Sequence, residues 1–169
     1  MAELTKKVCI IGDFAVGKTS SVARCVNNVF SEKYLTTVGV KIDTKELVAG
    51  ASEAAVKMII WDIAGTDRFS AVEFSYLRGS SGFVLVVDGT RLHTLDVAKK
   101  LRAETHERYG DLPCVMLINK ADLESEWEID DATIAELKRE GFSPFVTSAK
   151  TGANVEQAFG RLAEMVVDG

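Results

Sequence analysis

Short, nearly continuous apolar runs alternate with segments of helical period along this chain. "KKVCII" (6–11), "FVLVVD" (83–88), "CVMLIN" (114–119) and "SPFVTS" (143–148) are rich in Val, Ile, Leu and Phe. Runs of that kind predict strands buried on both faces, as in a parallel sheet. Two further runs, "GVKIDTKELV" and "AAVKMIIWD", flank "AGASE", which predicts a hairpin turn. Helical segments lie between the strands. One begins near residue 18 and another covers 93–109. A third is capped by Asp130 and ended by Gly141. In a fourth, Val155, Ala158, Phe159, Leu162, Ala163 and Val166 recur at helical spacing and form one apolar stripe. Asn154 with Gln157 resembles a capping box at its start. The expectation is an α/β fold, doubly wound, with a mostly parallel six-stranded sheet and one antiparallel edge hairpin. In such sheets ligands sit beyond the carboxyl ends of the strands.

Composition narrows the class without changing that picture. The 169 residues fit one domain over 1–169, and 47% apolar with 27% charged residues is an ordinary globular balance. A net charge of −5 with no basic block disfavours nucleic acid and anionic membrane surfaces as partners. Cys9, Cys25 and Cys114 are widely spaced in apolar surroundings, which predicts buried reduced thiols and a cytoplasmic setting. His93 and His106 have no matching ligand cluster for a metal. No apolar stretch approaches the ~20 residues of a membrane span, and a signal peptide is absent.

The strand ends carry the candidate chemistry. The first strand runs into "GDFAVGKT" (12–19), which matches G-x-x-x-x-G-K-[ST]. Glycines permit a tight loop whose N–H groups point at phosphate oxygens, and the following helix adds its positive end. Asp13, Phe14, Ala15, Val16, Gly17, Lys18, Thr19 and Ser20 are therefore candidate phosphate contacts, with Lys18 as a point charge and Thr19 as a Mg²⁺ ligand. "WDIAG" places Asp62 at a strand end, where it can reach the metal through water, and Gly65 can offer its N–H to a γ-phosphate. "NKAD" (119–122) follows another strand. Asp122 there can accept from guanine N1–H and its exocyclic amine, a pattern adenine lacks, and Lys120 can lay its stem along the base. "TSAK" follows a further strand and contributes Ser148, Ala149 and Lys150, with the Ala149 N–H aimed at guanine O6. Either tetrapeptide alone is an ordinary loop; in this order, each after a strand, they gain weight together with Asn119.

With these motifs the chain resembles Ras-type small GTPases over essentially its whole length, and within them it is most similar to the Rab branch. "TTVGVKI" is similar to that branch's switch I, and "WDIAGTDRF" followed by "SYLRGS" to its switch II. The resemblance implies the small G-domain version of the P-loop NTPase fold, GTP and GDP as ligands, Mg²⁺ as cofactor, and a switch cycle. It carries Phe30 to an edge-on contact with guanine and Tyr34 to closure over the phosphates. It carries Thr37 to both Mg²⁺ and the γ-phosphate. Effectors and regulators would bind through 31–41 and 65–78, with Val38, Val40, Ile42, Trp61, Phe69 and Leu77 as apolar candidates. The chain lacks the C-terminal cysteine of a prenylation signature. It therefore compares either with a chain cut short or with a tail-less relative of bacterial or archaeal origin.

Two positions depart from the family pattern. A glutamine that orients the attacking water usually follows the glycine of "AG"; here it is Thr66, followed by Asp67. Threonine is too short to present an amide's donor and acceptor at the same reach. Phe14 stands where relatives carry a small residue and would crowd the same space. Switch I has Lys33 but no arginine to serve as an internal finger. The catalytic set implied is thus Lys18, Thr37, Gly65 and Thr66, with slow intrinsic hydrolysis. The alternatives are a GTP-binding scaffold with little turnover and an ATP-using P-loop enzyme, the last disfavoured by Asp122.

Overall fold

The structure, a computed structural model, describes residues 4–13, 15–27, 40–49, 54–63 and 71–168. Six strands form one sheet in the order β2-β3-β1-β4-β5-β6. They are β1 (Leu4–Gly12), β2 (Val40–Ala49), β3 (Ala54–Ile63), β4 (Gly82–Asp88), β5 (Cys114–Asn119) and β6 (Pro144–Val146). Only β2 and β3 run antiparallel, with Ala49 opposite Ala54; the pairs β1–β3, β1–β4, β4–β5 and β5–β6 are parallel. The expected fold class and edge hairpin are therefore the observed ones. Four α-helices lie between described strands, α1 (Lys18–Asn27), α2 (Ala71–Ser75), α3 (His93–Tyr109) and α4 (Asp131–Arg139), and α5 (Val155–Asp168) follows β6.

The apolar runs work because strand side chains alternate between faces. Val8, Ile10, Val84, Val86, Val115 and Leu117 point to one side, where they meet Val22 and Cys25 of α1 and the Ala158, Phe159 and Leu162 stripe of α5. Cys9, Ile11, Phe83, Leu85, Met116 and Ile118 point to the other, against Leu95, Ala98 and Leu101 of α3 and Leu137 of α4. Burial on both faces removes any alternation from the sequence of β4 and β5, in which every residue is buried. All three cysteines are free and buried, as expected. Burial pushes the Cys25 thiol up to about 12, so it stays protonated as a small core group.

Several local expectations need correction. The last strand covers only Pro144–Val146 rather than 143–148. Ser143 turns into it with φ 49°, and Ser148 leaves it, its N–H donating to Ala153 O at 3.1 Å. Asn154 does stand just before α5, but at φ 58° and with its amide donating to the Val146 carbonyl at 2.8 Å, not in the extended geometry of an N-cap. Leu77, proposed as an effector contact, is fully buried beside Phe74. Asp130 caps α4 as expected, accepting from the Thr133 N–H at 2.8 Å, and Gly141 follows the helix at φ 85°.

The segment after β5 is fastened to the loop after β4. The Glu128 N–H donates to Gly89 O at 2.7 Å, and the Glu128 carboxylate accepts from Leu92 N–H at 2.7 Å. Trp127 lies over Gly89 so closely that an added Cβ would meet its ring at 2.0 Å. Gly89→Ala should cost about 1–3 kcal/mol in denaturant unfolding by overpacking. In a Trp127→Ala background most of that cost should vanish, and an equal cost in both backgrounds would contradict the contact.

Candidate functional site

The carboxyl ends of β1, β3, β5 and β6 open on one side of the sheet, and described residues of the loops after β1, β5 and β6 meet there. After Gly12 the chain turns through Ala15 at φ 62° and Gly17 at φ 100° before α1 starts at Lys18. At Gly12 a Cβ would come within 2.5 Å of the Val86 carbonyl, and at Gly17 within 2.3 Å of the Asn119 amide nitrogen. Both motif glycines are thus enforced by close approach, and Gly17 by its backbone conformation as well.

Lys18 is only 7% exposed, and its ammonium donates to Asp13 O at 2.9 Å and Gly12 O at 3.3 Å. Burial pushes it down to about 8, against the pull of Asp62 and Asp13 in the other direction. The Thr19 hydroxyl donates to Asp62 Oδ2 at 2.6 Å. Burial holds the Asp62 carboxyl above its usual range, although the Thr19 bond and the charges of Lys18 and Lys41 oppose that. A buried cation and a buried carboxylate, each pushed toward its neutral form by burial although they attract one another, therefore lie next to the loop. Such a cradle suits a polyphosphate with a small divalent ion.

The base-end motif joins this cradle directly. Asn119, at the end of β5 and 2% exposed, donates from Nδ2 to Val16 O at 3.1 Å. Its Oδ1 accepts from the Ala149 N–H at 3.0 Å. Lys120, at φ 72°, donates to Ala15 O at 3.0 Å. Asp122 is exposed and held by the Ser148 hydroxyl at 2.7 Å. The Ala149 N–H, expected to meet a base oxygen, is engaged by Asn119, so such an oxygen would share or replace that bond. Ser20 sits on the first turn of α1, and Lys150 is exposed within the last loop.

Phe14, Phe30, Tyr34, Thr37, Val38, Gly65, Thr66, Asp67 and Phe69 lie outside the described residues. Of the remaining effector candidates, Ile42 is 53% exposed, whereas Val40 and Trp61 are half-buried. Trp61 lies under the Lys7 ammonium, 3.7 Å from its ring centre, and near Tyr76 at 6.5 Å between rings. Two residues at this end escaped the sequence reading. Arg24 of α1 donates to Ala149 O at 2.8 Å and Lys150 O at 2.5 Å, and so fastens the last loop to the first helix. Asp88 ends β4 opposite Asn119 in the sheet register. It closes an apolar run as Asp62 and Asn119 do, which is a signal that could have been read; Arg24 carries none, because its partners lie far along the chain.

Comparison with known proteins decides the family, because the Ras family model matches residues 7–168. The chain belongs to the Ras family. Its relatives include "Ras-related protein Rab-37" of Mus musculus, 39% identical over 165 residues, which are 96% of this chain and 73% of that protein. "Ras-related protein Rab-3C" of Bos taurus is 35% identical over 164 residues, covering 96% of this chain and 71% of the relative. Membership makes the chain a Rab-like small GTPase, a GTP-binding switch protein with GTP hydrolase activity. Among the described residues no helix is long and apolar enough to cross a membrane.

If the cradle holds a polyphosphate, Lys18 would give a proton signature for its binding. Negative charge beside the ammonium would raise it from about 8. Binding should therefore take up more protons at pH 8.5 than at pH 7. Calorimetry of GDP binding in two buffers of different ionisation enthalpy measures this; equal proton exchange at both pH values would contradict the assignment.

Proposed function

We propose that this chain is a guanine-nucleotide switch that holds GTP and GDP tightly and cleaves GTP slowly on its own. The observation that carries the binding reading is the direct link between its two half-sites. Asn119 reaches Val16 and Lys120 reaches Ala15, so a base at one end and phosphates at the other share one hydrogen-bonded frame. In this reading the loop 13–17, Lys18, Thr19 and Ser20 hold the phosphates, while Asp122 accepts from guanine and Lys120 lies along it. Ser148, Ala149 and Lys150 close the base pocket, with Arg24 supporting them from α1. Charge-assisted bonds of about 1.5–3 kcal/mol each make Asp122 a strong discriminator against adenine.

Thr19 and Asp62 fit Mg²⁺, since both present hard oxygen atoms next to the cradle. When bound, the ion neutralises charge on the β- and γ-phosphates. Lys18, already desolvated, adds a fixed positive charge with little reorganisation as negative charge shifts on the transferring group. Thr37 and Gly65 would report the γ-phosphate to the two switch segments, and release of that contact would free them. The partly exposed apolar surface of Val40, Ile42 and Trp61 lies on the hairpin between the switches and suits an effector.

The weakness lies in positioning the water. Thr66 cannot present an amide to it, and a phenyl ring at position 14, where the family pattern has a small residue, would crowd the space such a side chain uses. The same two residues favour the second reading, an interaction module with almost no turnover. Single-turnover hydrolysis of bound GTP should be slower than in glutamine-bearing relatives. Thr66→Gln, alone or combined with Phe14→Gly, should accelerate it by about 10-fold to 100-fold. A parental rate equal to those relatives, or no gain in either variant, would sink the proposal.

A further inference from the structure

We propose that Asp88 is a positioning residue for the nucleotide, acting through Lys120 to hold the base-end loop against the phosphate loop. Asp88 is the last residue of β4 and lies opposite Asn119, so the sheet register sets it beside the start of the base-end motif. Its carboxylate is 1% exposed. Oδ2 takes the Lys120 ammonium at 2.8 Å and the Arg91 guanidinium at 2.9 Å. Oδ1 accepts from the Thr90 N–H at 2.9 Å and the Thr90 hydroxyl at 2.6 Å. Burial works to raise this carboxyl, but the bonds from Lys120, Thr90 and Arg91 outweigh it and bring it down to about 2. It is thus charged throughout the neutral range.

Lys120 is the residue that needs such an anchor. It stands at φ 72°, a conformation that costs a side-chain-bearing residue strain, and its ammonium also donates to Ala15 O at 3.0 Å. Ala15 itself stands at φ 62°. A single ammonium therefore bridges a buried carboxylate in the sheet and a strained carbonyl in the phosphate loop. A flexible four-carbon stem has many alternative rotamers, and the fixed negative charge selects the one that spans the site. With the ammonium held at both contacts, fewer rotamers are open to the stem. A base stacking on it then meets a preorganised platform, with less ordering cost left for binding.

Asp88 also closes the turn after β4 through Thr90, so a purely local role has to be separated from this one. Thr90 uses Oδ1, whereas Lys120 shares Oδ2 with Arg91 of the same turn, so the double variant is what separates the two uses. Asp88→Asn keeps an acceptor for Thr90 and removes the charge that Lys120 needs. The inference rests on Lys120 contacting the base as proposed above, and the experiment separates the two ideas. GDP dissociation, followed with a fluorescent guanine nucleotide, is measured for the parent, Asp88→Asn, Lys120→Met and the double variant.

Both single variants should release GDP at least about tenfold faster, the effect of losing one charge-assisted bond. The double variant should be no faster than Lys120→Met alone, because Asp88 has nothing left to position. A local role in the turn would instead give effects that multiply. If Lys120→Met accelerates release while Asp88→Asn leaves it unchanged, or if the two effects multiply, the proposal is overturned and the base-site reading stands. If Lys120→Met leaves release unchanged, both are overturned. Should Asp88→Asn fail to fold, Asp88→Glu keeps the charge but displaces it by a methylene. It should then give faster release that disappears in the Lys120→Met background, and its failure to do so would equally overturn the proposal.

Discussion

One buried carboxamide ties the candidate site together. Asn119 ends β5 at a point where its amide can donate to Val16 O in the first loop and accept from Ala149 N–H in the last. Neither backbone group is exposed to water: Val16 and Ala149 are both buried. Losing the side chain would leave both unsatisfied, at about 1–3 kcal/mol each, and would separate the loops they belong to. The contact also dictates sequence elsewhere, since Gly17 has room for no side chain beneath the Asn119 amide. The parallel sheet matters to function chiefly because it delivers β1, β4, β5 and β6 side by side with their carboxyl ends together.

Around that frame the electrostatics are deliberately incomplete. Lys18 and Asp62 are buried with each pushed toward its neutral form. Burial penalises both charges although they attract one another; phosphates and a divalent ion would add counter-charge to each. Asp88 shows the contrasting case. Its charge is already matched by Lys120 and Arg91, and on the proposed reading it serves as a fixed post rather than as a ligand group. Ligand binding and stability are coupled for the first pair and largely separate for the second.

Most of the fold was legible because its signals are local. Four apolar runs became β1, β4, β5 and β6, and the stripe from Val155 to Val166 became the buried face of α5. The errors share a cause, which is tertiary context. Leu77 looked available because it follows a switch-like motif, yet it fills the core below β1 and β4. Asn154 has the right residue type for a cap but is taken by the Val146 carbonyl instead. Within the site, the motif residues were found because phosphate and base chemistry restrict residue type at fixed spacing. Arg24 and the Lys120–Asp88 bridge were missed because their meaning depends on which strand ends lie next to each other. Thr66 and Phe14 were visible only as departures from a family pattern; spacing alone would not have singled them out.

The central claim is that one continuous frame reads guanine at one end and holds phosphates at the other. Competition for the site tests it most directly: protein loaded with a fluorescent guanine nucleotide is challenged with unlabelled GTP, GDP or ATP in the presence of Mg²⁺. Displacement by GTP and GDP is predicted near equal concentration, with almost none by ATP at about a 100-fold excess, because a site built to hydrogen-bond one base rejects a base lacking those groups by about 10⁴–10⁵. Displacement by ATP as effective as that by GTP would contradict it.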